Sequence, residues 1–249
     1  MLPAVLVIGC IGLVSAGSYI GYRWFTESPR FDISSVKVSG NHKLSQVQVT
    51  EMLALGEHPN VFRTDVGSLE RRLRANPWIA SAGISRSLPD GLEVEIVEET
   101  AHAAVQLDGF YLINEAGQVF KRADVDAGEM EGLCIITGLS RERFLAAPDQ
   151  TTDRLVYALE ALTSYHANSK RPRVGELHLD NRHGISLITY ENAIAIHLGS
   201  PDGAEFEDRY RSFDSAWSAL DSEEHAAARA FRIADRTPSD QVTIAFAGN

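Results

Sequence analysis

Residues 65–96 read DVGSLERRLRANPWIASAGISRSLPDGLEVEI, and this stretch decides the fold of the first half of the chain. Asp65 stands where it caps a helix. Behind it Val66, Leu69 and Leu73 recur at i, i+3 and i+7, one apolar face of an α-helix. Asn76-Pro77 stops that helix, because the residue before a proline is pushed out of the α region. A strand then runs from Ile79 to Arg86. Leu88-Pro89-Asp90-Gly91 is a turn with its own chemistry: proline fixes φ and glycine tolerates positive φ. Leu92-Glu93-Val94-Glu95-Ile96 alternates apolar and acidic residues, the mark of a half-buried strand.

The residues upstream extend this unit. Phe31, Ile33, Val36 and Val38 make a strand-like segment that ends at Gly40-Asn41. Its phase changes at Ser34-Ser35, which predicts a bulge. Ser45 and Gln48 form a capping-box pair, and Val49, Met52 and Leu53 give the following helix one apolar face. A loop with Gly56 and Pro59 leads back to Asp65. The order over residues 31–100 is therefore βααββ, a small sheet with two helices on one face.

Before this unit, Leu2–Tyr22 contains no charged side chain; Arg23 and Trp24 close the run. About 20 mostly apolar residues suffice for a helix to cross a bilayer. A cleaved signal peptide is the rival reading. No Lys or Arg precedes the run, and Ser15-Ala16-Gly17 is a poor cleavage site with apolar and aromatic residues after it. The sequence thus predicts a retained single-pass anchor over 1–24 and a linker over 25–30. Tyr19, Tyr22 and Trp24 suit the aromatic belt at a membrane–water interface, with Arg23 reaching the headgroups. Orientation is ambiguous. Arg23 and Arg30 follow the helix, and by charge alone they favour a cytoplasmic body.

The second half, 101–249, reads as a separate β domain. Short strands fall near Ala103–Leu107, Phe110–Asn114 and Val119–Arg122, with a hairpin loop at Asn114-Glu115-Ala116-Gly117. Leu133–Thr137 is a further buried strand. A helix follows from Thr152 to Ala167, with Leu155, Leu159 and Leu162 on one face. Val174–Asp180, Ile185–Tyr190 and Ala193–Leu198 form a meander. Asp202 and Glu205 are placed to cap a helix striped with Phe206, Tyr210, Phe213, Trp217 and Leu220. Arg229–Ala234 and Gln241–Phe246 close the chain as strands. The fold class is α+β: a transmembrane helix, a βααββ module and a mixed, mostly antiparallel sheet with flanking helices.

The chain has 249 residues, a formal net charge of −11 and two cysteines. An acidic body repels phosphate backbones, so nucleic acid is not an expected partner. Cys10 lies in the apolar run and Cys134 in the body, so no disulfide framework exists. No nucleophile elbow, phosphate-binding loop or zinc-helix motif is present. His178, Asp180 and His183 are the nearest approach to a metal cluster, but a zinc site needs three or four ligands with orienting partners. A solvated hairpin explains them better. Arg71, Arg72 and Arg74 form a basic cluster on the second helix, read as a solvated face. The sequence therefore predicts neither an enzyme nor a cofactor.

Taken together, the anchor, the βααββ module and the strand-rich second domain resemble the FtsQ/DivIB family of bacterial cell-division proteins. The likeness is carried by Val36-Lys37-Val38-Ser39-Gly40-Asn41, by Asn60-Val61-Phe62 with Asp65, and by Asn76-Pro77-Trp78-Ile79 with Leu88-Pro89. These match a polypeptide-transport-associated (POTRA) module. Asp108-Gly109-Phe110-Tyr111-Leu112-Ile113-Asn114 and Gly117-Gln118-Val119-Phe120 match the family's second domain.

The resemblance implies a scaffold of the division septum. It would sit in the cytoplasmic (inner) membrane with its body on the periplasmic side, which reverses the charge-based orientation. The implied partners are FtsB- and FtsL-like division proteins and other divisome components, held by the second domain. The runner-up is another POTRA-bearing membrane protein that assists export or outer-membrane assembly.

The last strand supplies a physical means. A terminal strand at a sheet edge carries unpaired N–H and C=O groups and can accept a partner strand. The expected partner-binding residues are Arg236, Thr237, Gln241, Val242, Thr243, Ile244 and Phe246. Arg236 occupies the position of a family arginine, and Thr237 stands where the family often has an aromatic. Without the resemblance, Arg236 reads as a solvated turn residue and the edge as merely protected.

Overall fold

The computed structural model describes residues 2–180, 184–200, 206–233 and 241–247, with side chains from residue 9 onward. It divides into two compact units, Met1–Glu99 and Thr100–Asn249.

The first unit opens with helix α1, Leu2–Glu27, followed by a 3-10 turn at Pro29–Phe31. Among the residues with described side chains, from residue 9 onward, no helix is long and apolar enough to cross a membrane; the first seven positions of α1 lie outside that statement. Strand β1 (Ser35–Ser39), helices α2 (Gln46–Leu53) and α3 (Val66–Arg74), and strands β2 (Ile79–Ser87) and β3 (Gly91–Glu98) then give the βααββ order. The sheet order is β1-β3-β2, with β1 parallel to β3 and β2 antiparallel to it. Val49, Leu53, Leu69 and Leu73 of the helices and Leu92, Val94 and Ile96 of β3 are buried and make up the core.

Side chains that bond to backbone fix the element ends. Ser45 and Gln48 make the reciprocal capping box of α2, and Asp65 accepts from the Gly67 N–H at the start of α3. The Asn76 side chain accepts from the Trp78 N–H at 2.9 Å, turning the chain into β2. Trp78 is buried, with the Lys43 ammonium 3.4 Å above its ring centroid.

One expectation is corrected here. The first strand begins at Ser35, not near Phe31. Proline at 29 sets a tight turn, and Phe31 is drawn into an aromatic cluster while residues 31–33 run beside 59–61. The arginine cluster on α3 is an exposed face, as expected, and its members are also engaged. Arg72 donates to the Leu53 carbonyl at 2.7 Å and so satisfies the end of α2, while Arg71 faces Asp65 and Arg74 faces Glu70.

The second unit is built on one nine-stranded sheet. Its strands are β4 (Ala103–Gln106), β5 (Phe110–Ile113), β6 (Val119–Arg122), β7 (Ile135–Thr137), β8 (Val174–Leu179), β9 (Ile185–Thr189), β10 (Ala195–Gly199), β11 (Ala228–Ile233) and β12 (Val242–Phe246). Its order is β12-β11-β10-β9-β8-β7-β4-β5-β6. Three pairings, β4–β7, β7–β8 and β10–β11, are parallel and the rest antiparallel.

Helices α4 (Arg141–Ala146), α5 (Pro148–His166), α6 (Phe206–Ser218) and α7 (Ser222–Ala227) complete the unit. Leu155, Leu162 and Tyr165 of α5 and Phe206, Tyr210 and Phe213 of α6 cover one sheet face, together with Leu177, Leu187, Ile196 and Phe231. Arg171 locks the two helices. Its guanidinium bonds Asp214 on α6 at 2.8 Å and the carbonyls of Ser164 and Tyr165 at the end of α5. The expected α6 stripe is therefore core. Asp202 and Glu205 lie outside the described residues.

Two tests follow from the first unit. Gly40 has φ of +78°, and a Cβ there would collide with the Ile96 carbonyl on β3. Gly40→Ala is expected to destabilise this unit by on the order of 1–3 kcal/mol, measured by urea unfolding. Glu98 accepts from the backbone N–H groups of His42, Lys43 and Leu44 at 3.0, 2.7 and 2.8 Å. Burial pushes its carboxyl upward, but these three donors outweigh that and hold it below the ordinary range. Its stabilisation is therefore present above the unfolded carboxyl pKa and lost as pH falls through the folded value. Glu98→Gln is expected to lower the melting temperature at pH 7, and the gap to the parent to close below about pH 4.

Candidate functional site

The described order of the sheet ends at β12, which pairs with β11 and with no other described strand. Its register is Val242 opposite Ile233, Thr243 opposite Arg232 and Ile244 opposite Phe231, with a bulge on β11 between Ala228 and Ala230. The Ala247 N–H donates to the Ala227 carbonyl at 2.8 Å, so that residue points its backbone inward. Strand alternation then turns the N–H and C=O of Val242, Ile244 and Phe246 away from β11. These are the groups a visiting strand would meet.

The side chains of β12 divide between two environments. Val242 and Ile244 are partly buried and pack against the core. Phe246 continues that line but is 45% exposed, an apolar surface at the end of the edge. Thr243 and Ala245 are exposed on the other face, where Thr243 ends a polar row running across the strands. Register places Thr137, His178, Ser186, His197, Arg232 and Thr243 in succession along it. Thr137 Oγ1 lies 2.8 Å from His178 Nδ1, and Ser186 Oγ lies 2.8 Å from His197 Nδ1. Burial and, secondarily, the Arg232 charge lower the pKa of His197. A strand added to β12 therefore meets an apolar side over α6 and a polar side opposite.

Of the residues singled out from sequence, Gln241, Val242, Thr243, Ile244 and Phe246 are contiguous at this edge. Arg236 and Thr237 lie outside the described residues. The exposure of Phe246 has no signature in the sequence, where it reads as one more apolar position of the strand. The signal that finds it is topological: it ends an edge strand, past the cover of α6.

The groups that could carry chemistry are engaged otherwise. His178 bonds Thr137, and Asp180 accepts from the Gly184 N–H at 2.7 Å; His183 lies outside the described residues. Among the described residues no group of His, Cys, Asp and Glu is placed to hold a metal ion. An open cleft of about 1310 Å³ beside α5 is lined by His102, Cys134, Leu159, His166 and Phe206 among others. Burial pushes the Cys134 thiol up to about 12, which leaves no thiolate there at neutral pH.

Two family models match the chain. One, described as "POTRA domain, FtsQ-type", matches residues 31–99. The other, described as "Cell division protein FtsQ/DivIB, C-terminal", matches residues 101–235. The cell division protein FtsQ of Myxococcus fulvus is 31% identical over 193 residues, covering 77% of this chain and 66% of the relative. That of Anaeromyxobacter sp. (strain K) is 28% identical over 249 residues, covering 99% of this chain and 81% of the relative. That of Syntrophotalea carbinolica is 27% identical over 199 residues, covering 79% and 70%.

The orientation of the edge can be tested by proline substitution. Phe246→Pro removes an N–H that faces away from β11, so the second unit is expected to keep its stability. Ala245→Pro removes one that faces β11 and is expected to cost about 1–3 kcal/mol in urea unfolding, from a ladder acceptor left unpaired. Equal losses from both would show that the alternation assigned to β12 is wrong.

Proposed function

This chain belongs to the FtsQ/DivIB family of bacterial cell-division proteins, and from that premise we propose that it is a single-pass membrane scaffold of the divisome. It is not an enzyme. Helix α1 anchors it in the cytoplasmic membrane through the apolar run Leu2–Tyr22, with both folded units on the periplasmic side at the division septum. It recruits and links FtsB- and FtsL-like partners and other divisome components.

The observation that carries the reading is the edge position of β12, in the unit whose residues 101–235 match the FtsQ/DivIB C-terminal model. A partner segment adds to that edge in extended form, and the outward backbone groups of Val242, Ile244 and Phe246 provide its hydrogen bonds. Its specificity comes from alternate side chains, apolar on the Phe246 side and polar on the Thr243 side. Arg236 and Thr237, in the connection before β12, and Gln241 complete the contact. The match over residues 101–235 favours this over the export or outer-membrane assembly reading.

The reading is tested by ending the chain before Gln241 in the membrane-bound protein. Co-purification with the FtsB- and FtsL-like partners is expected to fall at least tenfold, while the POTRA unit keeps its own unfolding transition. Undiminished recovery of both partners would refute strand addition at β12. Depletion of the whole protein is expected to give long undivided cells; normal septation with defective outer-membrane assembly would instead favour the runner-up.

A further inference from the structure

The stretch read from sequence as a linker is a built junction. Helix α1 continues to Glu27 and ends in a four-ring cluster. Ring centroids lie 5.6 Å apart for Trp24 and Phe31, 5.3 Å for Phe25 and Phe31, 5.5 Å for Phe25 and Phe62, and 5.2 Å for Phe31 and Phe62. Buried Asn60 ties the same elements through polar groups. Its amide donates to the Phe25 carbonyl at 3.1 Å and accepts from the Phe62 N–H at 2.9 Å. The Ile33 N–H donates to the Pro59 carbonyl at 2.6 Å, and the Val61 N–H to the Phe31 carbonyl at 2.8 Å. The helix end and the POTRA unit are thus joined by rings, an amide and a short backbone ladder.

The outer side of this junction is apolar and basic. Phe31 is buried, but Trp24 is 55% exposed, Phe25 44% and Phe62 38%. Arg23, Arg30 and Arg63 are exposed around the rings in a chain whose net charge is −11. The acidic groups nearby are Glu27, which pairs with Arg23 at 2.7 Å, Asp32, 3.8 Å from His58, and Asp90 on the β2–β3 turn, whose carboxylate accepts from the Ser34 hydroxyl. Glu27 is held below the ordinary carboxyl range first by its hydrogen bonds with Arg23, and the Arg63 charge adds to that.

The β2–β3 turn belongs to the same end. Arg86 donates to the Val61 and Thr64 carbonyls at 2.7 and 2.9 Å, and the Ser34 N–H donates to the Asp90 carbonyl at 2.9 Å. On that turn Leu88 is 62% exposed.

We propose that this face is a membrane-docking surface: the 60–64 loop and the β2–β3 turn sit in the bilayer headgroup region, with Phe62 and Leu88 interfacial beside Trp24 and Phe25. The occupant is argued from continuity. The exposed rings directly extend the apolar helix, and aromatic and arginine residues are the types favoured at that depth. Arginines around the rim match anionic headgroups. The helix and the POTRA unit then form one body with a fixed attitude on the membrane. This proposal rests on the anchor reading above.

The test uses the full chain alone, in nanodiscs of phosphatidylethanolamine and phosphatidylglycerol. Single nitroxide labels are placed through Phe62→Cys, Leu88→Cys or Val97→Cys in a Cys10→Ser background; buried Cys134 stays unlabelled. Val97 is exposed toward the other end of β3 and serves as the aqueous control. A label on native Cys10 in the parent reports the anchor. The ratio of oxygen to nickel-chelate accessibility is expected to be several-fold higher at 62 and 88 than at 97. Values at 62 and 88 equal to that at 97, with Cys10 at bilayer depth, overturn the docking proposal and leave the anchor standing. An aqueous value at Cys10 overturns both.

A second measurement avoids any substitution. Nanodiscs carrying a headgroup diazirine lipid are irradiated and the unmodified chain is mapped by mass spectrometry. Adducts in peptides 60–64 and 87–91 are expected. Adducts confined to α1 overturn the proposal and assign the exposed rings to a protein partner.

Discussion

The second unit depends on one constraint: helices α5 and α6 pack on one face of its nine-stranded sheet. In a strand the side-chain period is two, so a slip of one residue would move every buried side chain to the wrong face. Leu177, Leu187, Ile196 and Phe231 all face α5 and α6, and that fixes the register of the strands carrying them. Val242 and Ile244 inherit the same constraint through β11. The outward direction of the β12 backbone therefore follows from the packing of Val242 and Ile244 and from their pairing with β11. Arg171, bridging α5 to α6 through Asp214, keeps the cover itself in one arrangement.

Local chemistry made much of the first unit legible. The Ser45–Gln48 capping box, the Asp65 cap and the Asn76-Pro77 stop each act within four residues, so sequence spacing reports them directly. The turn after Ser87 is of the same kind. Legibility failed where the deciding contact is distant. Phe31 carries a strand-like pattern, yet rings at 24, 25 and 62 hold it in a turn. Arg72 looks like surface charge, yet it closes the end of another helix.

The second unit shows the same division. The hairpin at Asn114–Gly117 was readable because the Asn114 side chain accepts from the Ala116 and Gln118 N–H groups and Gly117 takes positive φ. Helices α4 and α7 were missed although their caps are written in the chain, at Ser140 and as an Asp221–Glu224 capping box. Neither helix has a buried residue, so the apolar stripe that reveals a helix is absent. The parallel pairings of β7 and of β10 with β11 join segments far apart in the chain, and no periodicity encodes them. Edge status, and with it the candidate site, follows only from that nonlocal order.

The brevity of β12 is consistent with a tethered scaffold. An exposed edge invites unwanted pairing, and natural proteins limit that risk with short edge strands and polar outward residues. Five residues with Thr243 on the open face meet that description, but so short an edge gives weak binding in dilute solution. Confinement changes the arithmetic. Two proteins held in one membrane meet at an effective concentration on the order of millimolar, so a modest strand–strand affinity suffices.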